Sequence, residues 1–140
     1  MKRDPRLRGL SSEHHQALVL ARSFTELAEA AAWSIEEAEG LGRRFDRELE
    51  PHFRVEEEVL LPALRAAGAA ALVERTEADH AFLRTSVAAA RTGVVAAARA
   101  FGERLHEHVR FEERELFPAC EATLPGEVLD EVARRAPKPA

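Results

Sequence analysis

Two stretches of the chain decide its fold: HFRVEEEVLLPA at residues 52–63 and HVRFEERELFPA at residues 108–119. Both follow the pattern H-x-R-x-E-E-x-x-L-x-P-A, so the second stretch is a copy of the first. A repeat of this quality predicts a helical bundle with approximate twofold symmetry, in which each half is a helical hairpin that carries one copy.

The segments around the two copies have the composition of helices. Alanine, leucine, glutamate and arginine dominate, and alternating runs of β-branched residues are absent. Ser11 or Ser12 is the expected N-cap of the first helix, and Ser34 with Glu37 is a capping-box signature for the second. Apolar residues recur at helical spacing in four segments, at about 11–31, 35–63, 70–91 and 94–117.

Four amphipathic helices joined by short turns predict an all-α, antiparallel up-down four-helix bundle. We expect a single domain over residues 1–140, because a chain of this length corresponds to one domain. The bundle should occupy about 11–121, and a short C-terminal helix at about 127–135 should follow the break at Pro125-Gly126.

The apolar stripes also predict which residues face the core. On the first helix the stripe contains Leu18 and Ala21, and on the second it continues past the repeat through Val59 and Ala63. Pro51 lies inside the second helix, where it removes a hydrogen bond and should kink the backbone.

Composition and charge exclude several classes of protein. The net charge is −5 with acidic and basic residues interleaved, whereas a nucleic-acid-binding surface would show clustered lysine and arginine. No stretch approaches the roughly 18 apolar residues of a membrane span, and the charged start lacks the apolar run of a secretory signal. A single cysteine, Cys120, is typical of a reducing compartment, so we predict a cytoplasmic protein. A solvated tail is expected for the basic residues near the N-terminus: Lys2, Arg3, Arg6 and Arg8.

The repeated stretches place a histidine and a glutamate one helical turn apart, as His52 with Glu56 and as His108 with Glu112. Both pairs fall in phase with the apolar stripes, although burial of an ionised carboxylate is costly unless something positive compensates it. Two carboxylates at matching depth on facing helices would repel each other unless a cation lies between them. A metal pair bridged by the two glutamates, with a histidine beside each, satisfies all of these groups. Imidazole and carboxylate ligands suit iron, and also manganese or zinc.

The other two helices offer further imidazoles. His80 lies in phase with the apolar stripe of the third helix. On the first helix His14 and His15 are adjacent, so at most one of them faces squarely inward; His14 aligns better with the stripe, and His15 remains an alternative. The candidate metal ligands are His14, His15, His52, Glu56, His80, His108 and Glu112.

On these residues the chain resembles hemerythrin and the hemerythrin-like (HHE cation-binding) domains. The resemblance implies a hemerythrin-like bundle with two iron ions joined by an oxo or hydroxo bridge. It also implies a role in binding or sensing dioxygen, another small diatomic molecule such as nitric oxide, or peroxide, or in handling iron. The motifs that carry it span about 10–118 and are Glu13-His14-His15, His52-x3-Glu56, Asp79-His80 and His108-x3-Glu112.

The chain departs from the oxygen-carrying hemerythrins on its third helix. Those proteins have two histidines four residues apart, whereas Thr76 and Arg84 flank His80 at that spacing here. A water or Glu77 could fill the vacant position. The fourth-helix carboxylate is also a glutamate at i+4 rather than the aspartate at i+5 of the oxygen carriers. Both differences argue against simple reversible oxygen carriage and leave metal binding intact.

Two other functions fit parts of the pattern. A ferritin-like di-iron oxidase uses Glu-x-x-His on two helices, and Glu77-x-x-His80 and Glu103-x-x-His106 have that spacing, although His106 is out of phase with the core. A metal-free helical interaction module, with its acidic residues in water, is the third possibility. We favour a metal-binding protein that senses or binds a small oxidant over an enzyme. The sequence indicates no catalytic residue and no protein partner.

Overall fold

The computed structural model describes residues 2–30 and 33–136, and within these ranges it contains helices and turns but no strand. The helices are α1 at Arg8–Glu29, α2 at residues 35–66, α3 at Ala70–Arg91, α4 at residues 95–123 and α5 at Gly126–Arg135. α1 and α3 each pack against both α2 and α4, so the four long helices form the predicted bundle. α5 is the predicted short C-terminal helix and packs against a 3-10 turn, Pro5–Leu7, that precedes α1.

Two helix starts show how well local signals predict the chain. α2 begins directly after Ser34, whose side chain accepts a hydrogen bond from the backbone N–H of Glu37 at 3.2 Å, as the capping signature predicts. Ser11 and Ser12 are not N-caps, because α1 begins earlier, beyond a 3-10 turn that Asp4 caps. The predicted end of α1 near residue 31 lies outside the described residues.

Each of the three prolines inside the long helices follows a wide π turn. These turns are Phe45–Leu49 and Glu56–Leu60 in α2 and Glu112–Leu116 in α4. In each case the backbone N–H after the turn donates to the carbonyl five residues earlier, and the next residue is proline. A proline has no N–H, and its ring collides with a carbonyl of a regular α-turn, so the extra residue in the turn makes room for it. The kink expected at Pro51 is therefore a wide turn in the preceding residues. The wide turn before Pro118 likewise allows α4 to continue past Phe117, where the helix was predicted to end.

The wide turns also correct the predicted stripe. Val59 and Ala63 are only half-buried, whereas Leu60 and Leu64 are fully buried. Because the π turn inserts a residue, it advances the inward-facing positions by one place beyond Glu56. Leu18 was also placed wrongly: it is 36 % exposed. The buried face of α1 contains instead Leu10, His14, Ala17, Leu20, Ala21 and Phe24.

The apolar core consists of two clusters. The first apolar cluster lies around the N-terminal turn and α5 and includes Leu7, Leu10, Leu64 and Val132. The second apolar cluster fills the other part of the bundle and includes four phenylalanines in tilted or edge-on contact: Phe24, Phe45, Phe53 and Phe101. A layer of buried polar residues separates them. None of the described helices combines the length and the apolar character that crossing a bilayer requires.

The N-terminal segment is bound to the bundle rather than solvated as predicted. Arg3 donates to a carboxylate oxygen of Glu121 at 2.9 Å and to the backbone carbonyl of Glu113 at 3.0 Å, both on α4. The backbone N–H of Asp4 donates to the other Glu121 oxygen at 2.6 Å. These contacts fix the entry into α1, which carries the first of the candidate ligands.

Candidate metal centre

Six of the candidate ligands are buried together in the layer between the two apolar clusters. They come from all four long helices, and none is more than 5 % exposed. Such burial is unfavourable unless each charge has a compensating partner. The six are His14 on α1, His52 and Glu56 on α2, His80 on α3, and His108 and Glu112 on α4.

The ligand atoms of these side chains converge in two neighbouring groups. One contains Glu56, His80, His108 and Glu112, and the other contains His14, His52 and Glu112, each with its atoms within 4.8 Å of one another. Glu112 faces both groups, since its Oε1 lies 2.7 Å from His14 Nε2 and its Oε2 lies 3.1 Å from His108 Nε2. Glu56 does the same, with Oε1 3.0 Å from His80 Nε2 and Oε2 3.0 Å from His52 Nε2. Both carboxylates therefore lie between two pairs of imidazoles.

Three of these buried atoms have no hydrogen-bond partner among the described residues: Glu56 Oε2, Glu112 Oε2 and His108 Nε2. The last two are only 3.1 Å apart, but their angles do not make a hydrogen bond. Buried polar atoms without a partner are rare in proteins and require an explanation. Buried donor atoms of this kind, left without a partner among imidazoles and carboxylates, fit a bound metal cation.

Each of the four imidazoles has a carboxylate at its Nδ1 atom, on the side of the ring opposite the Nε2 atom that faces the ligand groups. His14 Nδ1 lies 2.6 Å from Glu113 and His80 Nδ1 lies 2.6 Å from Glu57. The corresponding distances are 3.0 Å from His52 to Glu13 and 2.9 Å from His108 to Asp79. An Nδ1–H that donates to a carboxylate fixes the ring and leaves the Nε2 lone pair for a metal, the arrangement found behind metal-binding histidines.

The electrostatics of the layer follow from this pairing. Burial lowers the pKa of all four histidines, but the adjacent carboxylates outweigh it and raise each pKa, that of His108 to about 10. Burial raises the pKa of Glu112, but the charge of His108 and the contacts with its other neighbours, including His14, together outweigh burial and hold that pKa well below its usual value. Hydrogen bonds from His80 and His14 similarly lower the pKa values of Glu57 and Glu113 to about 2 against the effect of burial. Protons on the imidazoles thus balance the carboxylates until a metal ion replaces them.

The third helix contributes only His80 to the two ligand groups, and its buried carboxylate, Asp79, contacts the Nδ1 side of His108 instead. Thr76 is buried one turn before His80, and its hydroxyl donates to the carbonyl of Leu72 at 2.8 Å. Arg84, one turn after His80, pairs with carboxylates of α2. Glu77, a candidate for the vacant position, is exposed and pairs with Arg65 at 3.3 Å, so the structure does not bring it to the site.

Six of the seven candidate ligands lie together, and His15 does not: it is exposed and belongs to neither group. Of the two alternatives on α1, the structure brings His14 to the other ligands. Glu103 and His106 are also exposed and line a surface groove between α1 and α4, away from the buried layer. The spacing that favoured a ferritin-like site therefore does not correspond to a buried site.

Two residues of the site, Glu13 and Asp79, were included in the family motifs, but the sequence assigned them no role. Each directly precedes the single histidine of its helix, in Glu13-His14 and Asp79-His80. Glu57 and Glu113, the acids that follow Glu56 and Glu112 in the repeat, contact His80 and His14 in the same way. The signal that could have found the other two is the recurrence of an acidic residue directly before the lone histidine in both halves.

The fold and the layer together define a helical bundle built to hold cations between its four helices. The family model of the hemerythrin HHE cation-binding domain matches residues 5–120, and the chain belongs to this family. Membership implies metal binding, typically of iron, and the two side-chain groups are suited to it. Neither the curated proteins nor the solved structures contain a match to the chain.

Proposed function

We propose that the chain binds two iron ions, one between His14 and His52 and the other between His80 and His108, with Glu56 and Glu112 bridging them. The observation that supports this most strongly is that both buried carboxylates face both imidazole pairs while retaining unpartnered oxygens. An oxo or hydroxo bridge would complete the pair. Manganese or zinc would find the same donors, and metal analysis distinguishes them.

The donor set supports a function in binding a small oxidant. With two imidazoles and a share of two carboxylates, each ion would have four protein donor atoms. Iron in oxygen-activating sites retains positions that are not filled by the protein. Both ions would thus have room for an external ligand, and we propose dioxygen, nitric oxide or peroxide in a sensing or binding role.

A second candidate is turnover of peroxide or nitric oxide at the same centre. The side chains of Glu57 and Glu113 are 30 % and 33 % exposed and contact imidazoles that are buried. These carboxylates connect the buried layer to solvent, which is what repeated proton delivery to a reacting ligand requires. Steady-state assays with peroxide and with nitric oxide separate a catalyst from a sensor.

The adjacent histidines of α1 provide a matched test. The protein is expressed with iron, and iron per chain and near-ultraviolet absorption are measured before and after exposure to air or peroxide. We expect about two irons per chain and a charge-transfer band, both reduced in His14→Gln and unchanged in His15→Gln. Iron well below two per chain in the unsubstituted protein, or equal behaviour of the two variants, would contradict the proposal.

A further inference from the structure

Arg84 contacts two side chains that surround the His80 imidazole, a carboxylate and an aromatic ring. Its guanidinium donates to Glu57 at 2.7 Å, and Glu57 holds His80 Nδ1. It also lies 5.4 Å from the centre of the Phe53 ring, which stacks on His80 at 3.9 Å between centroids and 16° between planes. Arg84 therefore braces one imidazole through a carboxylate and through an aromatic ring.

Arg3 makes the same two kinds of contact around His14. It lies 3.2 Å from Glu113, the carboxylate that holds His14 Nδ1. It also lies 5.4 Å from the centre of the Phe117 ring, which is nearly parallel to the His14 ring, at 5° and 5.4 Å between centroids. Arg3 belongs to the N-terminal segment and Arg84 to α3, so the internal repeat does not explain the likeness.

Arginine is suited to this arrangement because its planar fork binds carboxylates in a fixed geometry while its face stacks on aromatic rings. Glu57 and Glu113 are each about one-third exposed. Without Arg84, Glu57 could turn toward water and leave the His80 ring free to rotate. Without Arg3, Glu113 would be held beside His14, among the described residues, only by the hydrogen bond that it accepts from Ser11 at 2.6 Å. Each arginine braces a histidine of a different proposed ion.

We propose that Arg3 and Arg84 are positioning residues that hold His14 and His80 in the orientation needed to retain a metal ion. The inference rests on the proposed two-iron site and adds to it the residues that govern how firmly each ion is held. The competing explanation is that both arginines only join neighbouring segments.

Arg91 is a matched control for Arg84. It also lies on α3 and also bridges to α2, through Glu39 at 3.3 Å and Asp46 at 2.8 Å, but it contacts neither the ligands nor the carboxylates behind them. Arg84→Gln and Arg91→Gln should therefore lower the melting temperature of the metal-free protein by similar amounts. Only a positioning role predicts a difference between them in the retention of metal.

The test follows the release of ferrous iron from the loaded, oxygen-free protein to an excess of a ferrous chelator. For Arg84→Gln we expect one of the two irons to leave about 3- to 10-fold faster, somewhat less than the roughly 10- to 100-fold loss in affinity typical when the partner of a ligand is itself removed. Arg91→Gln should release both irons at the unsubstituted rate. Arg84→Lys, which keeps the charge and loses the fork, should fall between Arg84→Gln and the unsubstituted protein.

Arg3→Gln should accelerate release of the other iron, and the double variant should release each iron at the rate seen in the corresponding single variant, because the two arginines act on separate ions. Equal release from Arg84→Gln and Arg91→Gln, with two irons bound at the start, overturns this inference and leaves the proposed function standing. Fewer than two irons in the unsubstituted protein contradicts both. Circular dichroism of each metal-free variant establishes that a change in release is not loss of fold.

Discussion

The two helical hairpins of the bundle use the same residues in the same roles. In each, the acid before the lone histidine holds the histidine of the repeated motif: Glu13 holds His52 in the first hairpin, and Asp79 holds His108 in the second. Across the hairpins, the acid that follows Glu56 or Glu112 holds the lone histidine of the other half, as Glu57 does for His80 and Glu113 for His14. The inner ligand layer thus follows the internal repeat.

The surroundings of the inner layer do not follow the repeat. Asp79 is buried, with a side chain 2 % exposed, and pairs with Arg75 at 3.3 Å and Arg104 at 3.1 Å. Glu13 is 19 % exposed and, among the described residues, has His52 as its only partner at ion-pair distance. The comparison shows that the ligands are symmetric while the support behind them is not. The proposed ion at His80 and His108 should accordingly be held more firmly than the one at His14 and His52.

The largest expected effect is the loss of metal from both ligand groups in a single variant. Glu112 belongs to both ligand groups, so Glu112→Gln should remove both ions, lowering iron per chain by at least about tenfold at limiting iron, since a lost ligand exceeds the effect of a lost outer partner. Elemental analysis after desalting measures this. Glu115→Gln, an exposed change on the same helix, is the control. Retention of one ion by Glu112→Gln would show that the two groups do not share this carboxylate.

A second prediction concerns the metal-free protein and affects both halves alike. The pKa of His108 is raised from 6.5 to about 10, and those of the other three histidines are also raised. A raised pKa stabilises the fold fully below pH 6.5, and the stabilisation is lost as pH rises toward 10. The free energy of unfolding should fall over that range by up to about 5 kcal/mol for His108.

Urea unfolding of the metal-free protein at pH 6 and pH 9.5 measures the change. The iron-loaded protein serves as the comparison, because metal binding requires deprotonated imidazole Nε2 atoms and strengthens as pH rises. Its stability relative to the metal-free form should therefore increase with pH. Metal-free stability that is unchanged or greater at pH 9.5 would contradict the assignment of protonated imidazoles.

The relation between the halves also shows what the sequence can predict. His52, Glu56, His108 and Glu112 were identified because a fixed helical spacing and an exact repeat place them on buried faces, and helical periodicity extends this to the fold. The choice of His14 over His15 was left open, since the side chains of adjacent residues point only about 100° apart around the helix axis. The start of the helix gave no further help, because it lies earlier than the serines indicate. Leu60 and Leu64 were missed because a π turn changes the phase of the stripe without changing its composition.

The support of the imidazoles depends on contacts between elements distant in the chain. Arg3 and Glu113 are separated by 110 residues, and no local pattern relates them. The basic start of the chain was accordingly interpreted as a solvated tail. Long-range ion pairs of this kind are specified by the packed fold and not by periodicity, which explains why the inner layer was predictable and its surroundings were not.

The difference between Asp79 and Glu13 leads to a third prediction, which sharpens the comparison. Asp79→Asn should weaken the hold on the ion beside His108 by about 10- to 100-fold, because the change leaves two part-buried arginine contacts without their anion. Glu13→Gln should weaken the ion beside His52 by less, about 3- to 10-fold, since water can reach the partly exposed amide. Competition with a chelator of known affinity measures both. Equal effects would mean that the arginines behind Asp79 add nothing to ligand orientation.

The smallest effect tests the contact that joins the halves, where α1 of the first hairpin packs against α4 of the second. A Cβ added to Gly102 would lie 2.6 Å from the backbone oxygen of Ala21, which cannot move without moving α1, so Gly102→Ala should destabilise the protein by about 1–3 kcal/mol. Gly40, on the first hairpin, is the control. Among the described residues an added Cβ there meets only the end of Arg43 at 3.8 Å, so Gly40→Ala should stabilise α2 by about 0.5–1 kcal/mol. Urea unfolding at fixed pH measures both changes. A stabilising Gly102→Ala would mean that α1 can shift without cost. Because α1 carries His14 and Glu13, the position of His14 would then be loosely fixed, and His52 would remain weakly supported by Glu13.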